Sequence, residues 1–190
     1  MAIKKRPVSP RQKMINLMYV VLMAMLALNV SNEVLEGFSV VEDSLNRTTD
    51  NSAKENRTLY DLFNAQMKTN PDKVKAWFEK AVRVKAASDS LYNFAQQLKE
   101  AIVKEADGKD GDVKNIENKE DLEAASYVML APGTGKGSRL FNAVNNYRNY
   151  ILSLITNADQ REIISGNLST AVPKSARSLG KNWQEYMFED

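Results

Sequence analysis

Residues 70–102 read NPDKVKAWFEKAVRVKAASDSLYNFAQQLKEAI, and this stretch decides the fold class. Asn70-Pro71 is a helix-start signal: asparagine suits the cap, and proline suits the first turn, where its missing N–H would have no partner anyway. The apolar positions that follow, Val74, Trp77, Phe78, Ala81, Val84, Leu91, Phe94, Leu98 and Ile102, keep to one helical face for about eight turns. A stripe of that length needs other helices to cover it, and the chain lacks the repeated period-two alternation of an α/β fold. The sequence therefore predicts an all-α protein.

Upstream, Val34, Phe38, Val41 and Leu45 fall at spacings of four, three and four. The polar stretch 46–57 follows, and then Leu59, Leu62, Phe63 and Met67, so one helix is expected to run to about Asn70. Downstream, residues 107–121 (DGKDGDVKNIENKED) read as an exposed loop, followed by a short apolar piece, Leu122 to Leu130. A third long helix is predicted next, capped by Ser138, with Leu140, Val144, Tyr147, Ile151, Ile155 and Ile163 facing inward and Ser165-Gly166 as its stop. Pro173 and Gly180 break the tail, where Trp183, Tyr186 and Phe188 gather with no evident surface on which to bury. The expectation is an antiparallel bundle with a fourth helix downstream, so that the chain reads as the first part of a longer protein.

The N-terminus adds a membrane expectation. From Met14 to Val30 the chain reads MINLMYVVLMAMLALNV, seventeen residues without a charge, which as a helix rises about 25 Å, at the short end of the spanning range. Lys4, Lys5, Arg6, Arg11 and Lys13 precede it with no acid, whereas Glu33, Glu36, Glu42 and Asp43 follow it. That asymmetry predicts a cytoplasmic basic tail (1–13), a single transmembrane helix (14–31) and an extracytoplasmic helical bundle (32–190). A cleaved signal peptide fits less well, because Leu28-Asn29-Val30-Ser31-Asn32 offers no A-x-A site. A buried core helix is the other alternative.

Asn16, Tyr19, Met23, Ala27 and Val30 share a stripe on the span, and four methionines (Met14, Met18, Met23, Met25) make its surface deformable. The stripe reads as a protein-contact face, or else Tyr19 and Asn16 snorkel to the headgroups. No Asp or Glu lies within the span, so a protonatable carboxylate at membrane depth would have to come from a partner.

Composition closes most chemistry. The chain has no cysteine and no histidine, which removes thiol nucleophiles, disulfides, a lipoprotein thioether and the commonest zinc ligands. Net charge is +2, so no nucleic-acid partner is implied. Gly133 to Ser138 (GTGKGS) resembles a phosphate loop but has Leu130 where the first glycine belongs and Gly137 where Ser or Thr must follow Lys136. Asp107, Asp110 and Asp112 lack calcium-loop spacing. The sequons starting at Asn29, Asn46, Asn56 and Asn167 read as chance. No enzyme activity, metal or cofactor is expected.

The segment Pro10-Arg11-Gln12-Lys13-Met14-Ile15-Asn16-Leu17-Met18-Tyr19, with Met25-Leu26-Ala27-Leu28-Asn29-Val30-Ser31 and Glu33-Val34-Leu35 after it, closely resembles the N-terminus of the GldM/PorM family. The likeness extends more loosely to Lys181-Asn182-Trp183-Gln184-Glu185-Tyr186. These are inner-membrane motor proteins of Bacteroidetes gliding and type IX secretion. The resemblance implies a homodimer whose two membrane helices sit inside a pentameric ring of the polytopic partner GldL/PorL, driven by proton flow, with periplasmic helices relaying torque to later periplasmic and outer-membrane components. It also implies that Arg11 pairs with an acidic group of that partner and that Tyr19 lines the contact, with Asn16, Met14 and Lys13 as lesser contacts. The alternatives are a single-pass sensor or scaffold, which thirteen cytoplasmic residues hardly equip for signalling, and an ExbD/TolR/MotB-type stator, which needs an aspartate in its membrane helix.

Overall fold

The computed structural model describes residues 9–119, 121, 123–133 and 135–189, with the backbone alone for 26–33. The described residues form seven α-helices and no strand. They divide into two units, residues 1–62 and 63–190.

The described residues of the first unit form a single element, the greater part of α1 (Pro10–Thr69). Ser9 starts it: its hydroxyl accepts from the Gln12 N–H at 3.3 Å and its carbonyl from the Lys13 N–H at 3.0 Å. The helix runs unbroken through the apolar run and the amphipathic stretch beyond it, as the spacing predicts. Its polar middle is satisfied locally, because Thr48, Thr49 and Thr58 each donate to the carbonyl four residues back. Among the described residues no helix is long and apolar enough to cross a membrane. The predicted span continues into residues 26–33, whose side chains lie outside the described set, as do Lys4, Lys5 and Arg6.

The second unit opens with the last turns of α1, whose Phe63 ring lies 6.2 Å from Phe78 on α2 (Pro71–Asp107). Pro71 occupies the first turn as predicted, but Asn70 makes no capping bond with its side chain. Gly108 ends α2 at φ +88°, a left-handed conformation that glycine adopts without strain. The loop after it is held by Asp107, whose two carboxylate oxygens accept from the N–H groups of Glu117 (2.9 Å) and Asn118 (2.8 Å).

Then come α3 (Glu123–Leu130), α4 (Gly137–Leu154), α5 (Ala158–Asn167), α6 (Lys174–Ser178) and α7 (Trp183–Phe188). α2 packs on α3 and α4, and α7 packs across α3 and α4. The buried core is small and sits where these helices meet: Leu98, Val103, Ala124, Met129, Ile151 and Ala176.

Two expectations are corrected. The predicted third long helix breaks at residues 155–157 into α4 and α5, and Ser138 lies inside its first turn, after Lys136 at the cap position. The break is built from polar groups: Arg161 donates to the carbonyls of Leu152 and Ile155 (the latter at 2.9 Å), and the Asn157 side chain caps α5 by accepting from the Gln160 N–H at 3.0 Å.

Two of the three terminal aromatics, Trp183 and Phe188, do find a surface, while Tyr186 stays exposed. An Asn182/Glu185 capping box starts α7, and Trp183 sits 5.7 Å from Phe141 on α4 and 6.1 Å from Phe188, ring to ring. Trp183→Ala is expected to destabilise the second unit by about 2 kcal/mol, since the ring is half-buried and is the main aromatic contact between the six-residue α7 and α4. A thermal melt followed by circular dichroism checks this; an unchanged midpoint would show that α7 contributes nothing to the unit.

Candidate functional site

α1 places all five predicted contact residues, Arg11, Lys13, Met14, Asn16 and Tyr19, on one rigid rod, and all five are exposed. Asn16, Tyr19 and Met23 share a face at spacings of three and four, and the Asn16 side-chain oxygen accepts from the Gln12 amide at 3.1 Å. Arg11 flanks this face, about 80° round from Tyr19, whereas Met14 lies roughly opposite it. The helix thus brings Asn16 and Tyr19 together and leaves Met14 on another side.

From Leu17 to Met25 the large apolar side chains are exposed all round, between 48% at Val21 and 72% at Met18. A helix apolar on every side is stable only inside a protein or in lipid.

The second unit carries a different feature, an open groove of about 380 Å³ between α2 and α4. Ser88 of α2 and Tyr147 of α4 share a hydrogen bond of 2.7 Å beside it, and the Arg139 guanidinium lies 5.4 Å from the Phe94 ring centre at one end. Below the groove, Arg148 donates to the Leu168 carbonyl (3.2 Å) and to the Asn145 side-chain oxygen (2.6 Å), which also accepts from Thr170 (3.0 Å). This network straps the segment after α5 onto α4.

With both features in view, residues 33–190 match the GldM N-terminal domain. The chain belongs to the GldM family. No curated protein matches it. GldM-family chains are components of gliding motility and type IX secretion, structural parts of that machinery and not classical enzymes. The match covers the amphipathic part of α1 and the whole second unit, and it begins after the charge-free run. The GldM-family body therefore includes the groove, while Arg11 to Tyr19 precede it on the same helix. Sequence reasoning missed the groove and the Arg148 strap. Ser88 was the available signal, a hydroxyl set between Val84 and Leu91 in an otherwise apolar stripe, which calls for a polar partner on a neighbouring helix.

Proposed function

We propose that this chain is the single-pass inner-membrane component of a rotary motor driven by the proton-motive force, which powers type IX secretion and gliding. In this reading residues 14–31 cross the inner membrane, the N-terminus is cytoplasmic and the body is periplasmic. Two copies form a homodimer whose membrane helices sit inside a pentameric ring of the polytopic partner GldL/PorL, and the helical body passes torque to later periplasmic and outer-membrane components.

The observation that carries the reading is the continuity of α1. One helix joins a charge-free run, whose large side chains are exposed all round from Leu17 to Met25, to a domain of the GldM family. Torque applied at one part of a helix reaches its next turns through the backbone hydrogen bonds that join them.

The chemistry follows from what the span lacks and what precedes it. No carboxylate occurs between Met14 and Val30, so the proton-carrying acid belongs to the partner. Arg11 keeps its charge at every relevant pH, and a guanidinium held against that acid is bound strongly while the acid is ionised. Protonating the acid removes the attraction and leaves the guanidinium to a neighbouring acid of the ring. Two arginines cannot both match five equivalent positions, so each protonation changes which pairing is preferred and the dimer steps.

The test is co-purification from detergent-solubilised membranes of cells expressing the chain with its chromosomal neighbours. The polytopic partner is expected to accompany the wild type in a fixed ratio and to fall severalfold with Tyr19→Ala, which removes an aromatic contact from the ring interior. If the chain purifies alone, the membrane helix is only an anchor and a sensor or scaffold role replaces the motor.

A further inference from the structure

Counted in sevens, α1 separates its charges from its apolar side chains beyond the charge-free run. Val34, Phe38, Val41, Leu45, Leu59 and Leu62 all fall on the first or fourth position of one heptad register, and each is between 51% and 68% exposed. Thr48, Ser52 and Glu55 fill the same positions between them. The outer side carries the charge: Glu36, Asp43, Asp50 and Arg57 recur every seventh residue at one position, and Arg47, Lys54 and Asp61 at another. Glu42 alone lies beside the seam, and Glu55 alone lies in it.

From Val34 to Leu62 the seam runs for about four heptads, the length that argues for a coiled coil. A strict period of seven fits a second helix wound around the first with a left-handed twist, whereas packing inside the chain's own bundle imposes no such period. The flanks suit an identical partner. One of them reads Gly37, Ser44, Asn51 and Thr58, small and uncharged, so two copies meet there without like-charge repulsion. Nothing lies within 4 Å of a Cβ at Gly37, which leaves room for a second backbone to come close. The Thr48 hydroxyl donates to the Ser44 carbonyl at 2.9 Å, so it needs no partner across the seam.

We propose that α1 pairs with α1 of a second copy along this seam, in parallel and in register, with the two Glu55 side chains face to face. The proposal rests on the homodimer of the motor reading and adds where the copies meet. Two helices that enter from the same side of one membrane are parallel, and their anchors fix the register. The same sevens counted back put Leu17, Val20 and Ala24 on the seam and leave Arg11 and Tyr19 on the outer side, toward the ring of that reading. Facing acids weaken the seam at one level, so position 55 reports the pairing.

The chain has no cysteine, so single introduced cysteines report without background. In membranes of cells expressing the whole chain, Val41→Cys and Leu59→Cys are expected to join two copies on mild oxidation. Asp43→Cys and Arg57→Cys, on the outer side, should fall severalfold behind. With Leu59→Cys on two differently tagged copies, adding Glu55→Lys to one of them should favour the mixed disulfide severalfold over either self-pair, because a lysine then faces a glutamate. Equal crosslinking at seam and outer positions, crosslinking at Val41 but not at Leu59, or a mixed yield indifferent to Glu55→Lys would each overturn the proposal. Co-purification of the two tagged copies without cysteines tests the homodimer separately. Copies that co-purify but do not crosslink along the seam overturn the seam alone, whereas copies that do not co-purify overturn the homodimer with it.

Discussion

Arg11→Ala, introduced into the chromosomal gene, is expected to abolish gliding and type IX secretion while the protein accumulates and its thermal stability is unchanged. The guanidinium is exposed in this chain and makes no ion pair among the described residues, so removing it costs the fold nothing. Its whole effect would fall on the partner's carboxylate, which is left charged and unpaired at the edge of the hydrocarbon. Breaking a buried ion pair from one side costs about 3–5 kcal/mol, enough to stall a step that must repeat. Arg11→Lys should recover part of the function, because an ammonium keeps the charge and loses the bidentate geometry. Secretion of a reporter cargo and gliding speed are the readouts. Wild-type movement in the Ala variant would make Arg11 one more positive charge on the cytoplasmic side and nothing else.

The second large effect is structural and sits where the sequence superficially resembles a phosphate loop. Between α3 and α4 the chain turns back on itself: the Gly135 N–H donates to the Ala131 carbonyl at 2.7 Å and the Lys136 N–H to the Val128 carbonyl at 3.1 Å. A Cβ on Gly135 would stand 2.7 Å from the Met129 carbonyl oxygen and 2.9 Å from that of Ala131. Both obstacles are backbone and cannot swing aside. Gly135→Ala should therefore cost about 2–3 kcal/mol by forcing α3 and α4 apart, a fall in Tm on the order of 10 °C. Gly166→Ala is the control. Nothing lies within 4 Å of a Cβ there, and alanine in α5 should be neutral or stabilising by up to about 1 kcal/mol. Equal melting of the two variants would mean that the α3–α4 connection yields freely.

The long elements were legible from their periodicity. The helix start at Pro71 and the unbroken α1 follow from apolar spacing and from the punctuation of Asn70-Pro71, whereas the stretch that forms α3 reads in the sequence only as a short apolar piece after the Gly/Asp-rich loop. The α4–α5 break was missed because Ile151, Ile155 and Ile163 continue the stripe across it, and no glycine or proline marks it. The mark that existed was Asn157 with Gln160 three residues on, a cap pattern inside an apolar run. The same kind of signal, Asn182 with Glu185, announces α7.

The terminal aromatics were misjudged for another reason. Trp183 meets Phe141, more than forty residues earlier on α4, and carries Phe188 with it, and local sequence carries no trace of that pairing. The groove was invisible on the same grounds, since it exists only where two helices distant in sequence lie side by side. At the N-terminus the situation is reversed: charge asymmetry and the apolar run carry the membrane reading, and the structure contributes the helix that bears Arg11, Asn16 and Tyr19.

The most direct measurement is photo-crosslinking in living cells, with a photoreactive amino acid placed in turn at Met14, Asn16, Tyr19, Leu22 and Met23. Each helix of a pair enclosed by a ring faces either the ring or the second copy, so every one of these positions, Met14 and Leu22 included, should crosslink to the polytopic partner or to a second copy of the chain and none to lipid alone, and Tyr19 should reach the polytopic partner most strongly. Crosslinks confined to one face, or to lipid alone, would contradict a helix enclosed by its partner and return the span to the role of an anchor.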